Sequence, residues 1–306
     1  MRIDAHVSEP APIPRLGRVG VWLSAIGGLS ADEARDAASR VEELGYHTLW
    51  IGEGPQNKEI FANAGILLAA TETLVVATGV ANLHARDALA MRTGSLALGD
   101  AYPGRFVLGI GVSHASLVTA RGHDYAKPLT TMREYLDAMD DVDYRPPMPA
   151  VAVPRLLAAL RPRMLELSRD RAQGAHTYFV PVSHTRMARE ALGDDAGLYV
   201  ELMVVLEEDP ARARAVARQT VGFYLSLPNY VNSLRALGYG DDDLSAGGSD
   251  RLVDDLVAWG SPLDIAARVS AHHEAGADHV ALQPLGGGVA QALTVLAKLA
   301  PAVLPL

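Results

Sequence analysis

Between residues 17 and 300 the chain alternates two patterns. Short, nearly continuous apolar runs bounded by turn residues give way to Ala-rich stretches with apolar positions three and four apart. The first pattern predicts strands buried on both faces, the second amphipathic helices. Strands are predicted at 17–24, 46–53, 74–82, 104–114, 152–160, 175–180, 198–206 and 278–284. Helices are predicted at 30–45, 57–71, 85–102, 128–143, 161–173, 184–193, 209–225, 261–276 and 288–300. Local signals agree: Ser30 and Glu33 make a capping box, Gly45 stops that helix, and Pro162 suits a first helical turn. Such alternation predicts a parallel sheet covered by helices, and eight units in 306 residues fit an α/β fold of the closed (β/α)8 TIM-barrel type. An open doubly wound sheet would carry G-x-G-x-x-G after its first strand; "SAIGGLS" has glycines without that spacing. The expected organisation is a Pro-rich arm over 1–16 and a single barrel domain over 17–306, with an irregular excursion at about 224–250. In a barrel, so long a connection builds or covers the active site.

Composition narrows the function classes. Hydrophobic residues make up 49% and charged residues 21%, enough apolar material for a large core. The formal net charge is -9 and the basic residues are scattered, which argues against a nucleic-acid partner. There is no cysteine, hence no disulfide, thiolate metal site or Cys nucleophile. No apolar run has the length of a membrane span, and the opening residues lack the h-region of a secretory signal, so a cytoplasmic protein is expected.

Barrels place their chemistry where strands end and helices begin. That rule selects Ser24, Gly27, Gly28, Glu53, Thr78, Gly79, Asn82, His84, Gly111, Ser113, His114, Arg161, Ser183, His184, Gln283 and the glycines at 286–288. No H-E-x-x-H, G-x-S-x-G or P-loop spacing occurs, so no metal site is expected. His272 and His273 sit side by side within a predicted helix and are expected on the surface. The stretch "GRFVLGIGVSH" carries more glycine than a strand needs, and glycine in a strand marks close approach of a backbone or ligand. Gly109 suits barrel packing. Gly79 and Gly111, nearer the strand ends, would leave a flat wall against which a planar ring system could lie. In "AALRPRML", Arg161 at a helix start offers donors to a phosphate, or is a surface Arg on a first turn.

"EELGYHTLWIGE", "VVATGVANLHARDALAM", "GRFVLGIGVSH" and "GSPLDIAARVSAHHEAGADHVALQP", in this order, resemble the bacterial-luciferase-like (LLM) monooxygenase superfamily. More closely they resemble its branch that uses the deazaflavin coenzyme F-420. The resemblance spans residues 17 to 300. It implies a barrel with the coenzyme in its mouth and a non-prolyl cis peptide at the end of the third strand, matching Gly79–Val80. It also implies a phosphate loop after the fifth strand, matching Ala159, Leu160 and Arg161. The family often has glycine there, and this chain offers the Arg161 charge instead. The implied coenzyme-binding set is Glu53, Thr78, Gly79, Val80, Asn82, Gly111, Val112, Ser113, Ala159, Leu160, Arg161 and Ser183. The implied catalytic residue is His114, at the position where some deazaflavin dehydrogenases carry an acid.

His114 reads either as the proton-transfer group or as a strand-end histidine satisfied by a loop carbonyl. Glu53 reads either as a ring-edge contact or as a cap of the following helix. The expected function is hydride transfer between reduced F-420 and a small organic substrate, an oxidoreductase activity. The alternatives are an FMN-dependent monooxygenase and a non-catalytic deazaflavin-binding barrel. Tyr224, Tyr230 and Tyr239 are candidate lining groups within the excursion. The family further implies a homodimer through helices at 57–71 and 85–102.

Overall fold

The computed structural model describes residues 16–305; the expected N-terminal arm lies outside the described residues except for Leu16. Ten strands form: β1 (Val19–Trp22), β2 (Thr48–Ile51), β3 (Val75–Thr78), β4 (Ala81–Asn82), β5 (Phe106–Gly111), β6 (Arg155–Ala158), β7 (Gly174–Thr177), β8 (Gly197–Val205), β9 (Val257–Trp259) and β10 (His279–Pro284). The order β1-β2-β3-β5-β6-β7-β8-β10 is parallel throughout and closes on itself where β10 pairs with β1. This is the (β/α)8 TIM barrel expected from the alternation. β4 pairs with β5, and β9 pairs with Met203–Val205 at the end of β8.

Helices follow the strands in the expected places. They are α1 (Ala31–Glu43), α2 (Ile60–Leu68), α3 (Ala88–Ala101), α4 (Ala115–Ala120), α5 (Pro128–Asp140), α6 (Pro162–Arg171) and α7 (Val182–Leu192). Then come α8 (Pro210–Tyr224), α9 (Pro228–Ala236), α10 (Asp241–Leu244), α11 (Asp250–Leu256), α12 (Pro262–Glu274) and α13 (Val289–Val303). The capping box of α1 is present in full, and Gly45 follows it at φ +88°. Among the described residues, no helix is long and apolar enough to cross a membrane.

Alternate residues of each strand face opposite ways, so the barrel builds two cores. Val21, Leu49, Ile51, Val76, Leu108, Leu157, Val200 and Leu282 pack outward under the helices. Trp22, Trp50, Ala77, Val107, Leu156, Tyr199 and Ala281 fill the lumen. His176 joins them, its ring stacked on Trp50 at 4.5 Å. Trp50 Nε1 donates to His279 Nε2 (2.9 Å) and His279 Nδ1 donates to the Gly17 carbonyl (2.7 Å), so the N-terminal end of the lumen is packed and hydrogen-bonded shut.

Three expectations are corrected. The segment 224–250 is not irregular: it carries α9 and α10 and runs into α11. Leu227, Tyr230 and Leu234, spaced three and four apart, give α9 an apolar face that packs with Val221, Leu252 and Val253. His272 is not on the surface. It continues the Ile265–Val269 stripe of α12, is fully buried, and its Nδ1 lies 2.8 Å from Thr185 Oγ1. Glu53 does not cap α2: Glu59 does, accepting from Phe61 N and Ala62 N.

Candidate active site

At the C-terminal ends of the strands opens a cleft of about 930 Å3. It brings together Glu53, Gly79, Val80, Asn82, Gly111, Val112, Ser113, His114, Ala159, Leu160 and Arg161. Two residues of the expected set stand apart from it. Thr78 is buried, its hydroxyl donating to Gly109 O and accepting from Gly109 N (both 2.8 Å), which ties β3 to β5. Ser183 is exposed in the first turn of α7. Of the three candidate tyrosines, Tyr224 and Tyr230 line the cleft, whereas Tyr239 turns away and donates to Asp255 Oδ2 (2.8 Å).

The wall is made where β3 breaks. The Gly79–Val80 peptide is cis, and the chain resumes pairing as β4. Glycine is required at two positions of β5. A Cβ on Gly109 would overlap the Thr78 carbonyl, and one on Gly111 would lie 2.5 Å from Val80 Cγ2. Gly111 therefore makes room for the Val80 side chain, which itself forms part of the wall. Glu53 braces this turn from behind. It accepts from Asn82 N (2.7 Å) and pairs through both carboxylate oxygens with Arg86, which also reaches Glu59 (2.9 Å). Glu53 and Arg86 are only 6% and 9% exposed, so the carboxylate is neutralised within the protein.

Beneath Gly79 lie two polar atoms without partners among the described residues, Trp22 Nε1 and His176 Nε2. His176 Nδ1 is 3.2 Å from the Tyr199 carbonyl, which only accepts, so Nδ1 carries the proton. Burial lowers the His176 pKa to about 3, leaving Nε2 a bare acceptor beside the indole donor. Above them Tyr178 donates to Gln283 Oε1 (2.8 Å) and accepts from Tyr224 (2.7 Å). Burial holds these phenols protonated, Tyr224 at about 12.

The cleft also carries cations. Lys127, Arg161 and Arg163 line it, all exposed and none in an ion pair among the described residues. His184 Nε2 lies 2.7 Å from Leu160 O, anchoring the loop that carries Arg161. His114 lines the same cleft. It follows Ser113, held at φ +61°, and its Nδ1 lies 3.1 Å from Asn229 Oδ1 of α9, with the Tyr230 ring 5.5 Å away. Burial lowers its pKa, opposed by Asn229, so the ring is neutral at pH 7.

Glu201 sits deeper, fully buried on β8. It accepts from Phe179 N (3.1 Å), which helps hold Phe179 at φ +59° at the edge of the tyrosine cluster. Burial raises its pKa to about 8, against the Phe179 bond that lowers it. The folded protein thus holds a proton that the unfolded chain releases, and stability from this group falls as pH rises from about 5 to 8. The Glu201→Gln variant is expected to flatten that decline, gaining at least about 1 kcal/mol at pH 8 relative to its difference at pH 5. Urea unfolding of both proteins at the two pH values checks this; parallel declines would contradict it.

Sequence reasoning missed Trp22, Lys127, Arg163, His176, Tyr178 and Asn229. A charged residue inside the apolar run "LYVELMVVL" was a usable signal for Glu201, and "RPR" for Arg163.

A family model described as luciferase-like monooxygenase matches residues 15–279. The 5,10-methylenetetrahydromethanopterin reductase of Methanolobus tindarius is 23% identical over 303 residues, covering 85% of this chain and 93% of that protein. Among solved structures, an F-420-dependent secondary alcohol dehydrogenase in complex with an F-420–acetone adduct aligns with a TM-score of 0.74 at 16% identity, covering 94% of this chain and 99% of that one. The oxygenating constituent of 3,6-diketocamphane monooxygenase from Pseudomonas putida, in complex with FMN, aligns at 0.70 and 16%, covering 95% and 98%. These structural likenesses concern the fold.

Proposed function

The chain belongs to the luciferase-like monooxygenase family, and from that premise we propose that it is an oxidoreductase that transfers hydride between coenzyme F-420 and a small organic substrate. One observation carries the choice of coenzyme: three cations without ion-pair partners among the described residues, Lys127, Arg161 and Arg163, line the cleft. FMN ends in a single phosphate, whereas F-420 continues past its phosphate into a carboxylate-bearing tail, which three cations suit better. The cleft also fits the ring. Val80 and the glycine backbone at 79 and 111 offer a flat apolar wall.

When bound, the deazaflavin supplies or accepts hydride; the protein supplies position, dryness and proton movement. Gly79, Val80 and Gly111 form the wall, braced by Glu53 and Arg86. Arg161, Arg163 and Lys127 hold the anionic tail by charge. Phe223 and Tyr224 at the end of α8 and Tyr230 of α9 line the cleft, Tyr230 buried and Tyr224 half-buried, narrowing the access of water. His114 exchanges the proton that accompanies hydride transfer.

The FMN-bound neighbour keeps an FMN-dependent reading as the second possibility. Anaerobic titration with F-420 and with FMN, read by fluorescence, separates them. F-420 is expected to bind more tightly, and the double variant Arg161→Ala, Arg163→Ala to weaken it by about tenfold, equivalent to roughly 1.4 kcal/mol. Tight FMN binding with none of F-420 would transfer the reading to the flavin.

A further inference from the structure

We propose that Asn229 is a positioning residue that fixes His114 as its Nδ1–H tautomer, so that a bare Nε2 faces the cleft and takes the proton of a substrate hydroxyl. The amide oxygen of Asn229 lies 3.1 Å from His114 Nδ1, and an amide oxygen only accepts, so Nδ1 carries the hydrogen. The other ring nitrogen has no protein partner among the described residues, and it is absent from the buried unpaired atoms, so it meets the open cleft. His176, the other histidine lining the cleft, keeps its free nitrogen fully covered. Tyr230 packs against the His114 ring, and Tyr125, Lys127 and Tyr224 line the same cleft; Glu53 is consumed by Arg86. Which ring nitrogen stays bare is therefore set by one contact that comes from α9, the part of the excursion packed over the barrel mouth.

The chemistry that fits a bare imidazole nitrogen is a hydroxyl donor, not a carbonyl. As the substrate O–H breaks, Nε2–H forms and the electron pair stays on oxygen. That pair becomes the second C–O bond as the carbinol hydrogen leaves as hydride to the oxidant, an oxidised deazaflavin. The direction of hydride flow rests on the function proposed above; the tautomer and the hydroxyl contact do not.

The test uses the full-length protein without coenzyme. Long-range 1H–15N spectra at pH 7, with His114 assigned by the His114→Gln variant, read the state of each ring nitrogen. The expected state is neutral, protonated at Nδ1 and bare at Nε2. Asn229→Ala is expected to turn the ring largely to the Nε2–H tautomer, while Asn229→Asp, which keeps an acceptor, retains Nδ1–H. A merely structural Asn229 would move neither. Cyclohexanol is expected to shift the Nε2 signal, and cyclohexanone to leave it in place. An imidazolium or an Nε2–H ring in the unaltered protein, an unchanged tautomer in Asn229→Ala, or no response to cyclohexanol up to its solubility overturns the proposal. Failure of F-420 to bind would overturn the function above and leave these spectra standing.

Discussion

The His114→Gln variant is expected to bind F-420 as tightly as the unaltered protein and to lose about 10²–10⁴ of its turnover, the contribution of a positioned acid–base group. His114 is the histidine of the cleft whose ring nitrogen is both unpartnered and open, and it is not among the cations proposed to hold the coenzyme tail. Its loss should therefore separate chemistry from binding. Reduction of oxidised F-420 in the presence of a panel of small alcohols, followed by absorbance, reports turnover, and fluorescence titration reports binding. Retained turnover would remove His114 from proton transfer. A parallel loss of binding would show that it holds the coenzyme.

Arg86→Ala is expected to destabilise the fold by about 3–5 kcal/mol, because it leaves the Glu53 carboxylate buried and uncompensated. Glu53 is 6% exposed and keeps only the Asn82 N–H once the guanidinium is gone. The same variant removes the Arg86 contacts to Glu59 and to the face of Phe61, 4.9 Å away. Urea unfolding at neutral pH measures the loss. The companion double variant Glu53→Gln, Arg86→Met removes both charges and should recover part of it. A drop below about 1 kcal/mol for Arg86→Ala would mean that the pair behaves as a surface salt bridge.

The barrel was legible because its strands are buried on both faces, and continuous apolar runs such as those around Val76 and Val200 leave few alternatives to a parallel sheet. Strand ends carried most of the cleft for the same reason: Glu53, Gly79, Asn82, Gly111 and His114 each follow a run that the pattern delimits. What failed to show was whatever depends on convergence. Asn229 reaches His114 across 115 positions, and Arg86 reaches Glu53 across 33, with no local mark on either. His272 misled because neighbouring histidines look polar together, while the helix turns one inward and leaves the other half-buried. The excursion misled because its helices are short and separated by polar and glycine-rich turns. β9 has three residues, too few to carry a period.

The hydrogen-bonded plug of Trp50, His279 and the Gly17 carbonyl makes the barrel a well with one mouth. Anything that reaches the depth of Trp22 and His176 must pass the level of Lys127, Arg161 and Tyr224 on its way in and again on its way out. Two ligands sharing such a well must queue: the deeper one loads first and leaves last. The order in which coenzyme and substrate inhibit one another in steady-state kinetics would then disclose which of them lies beneath the other.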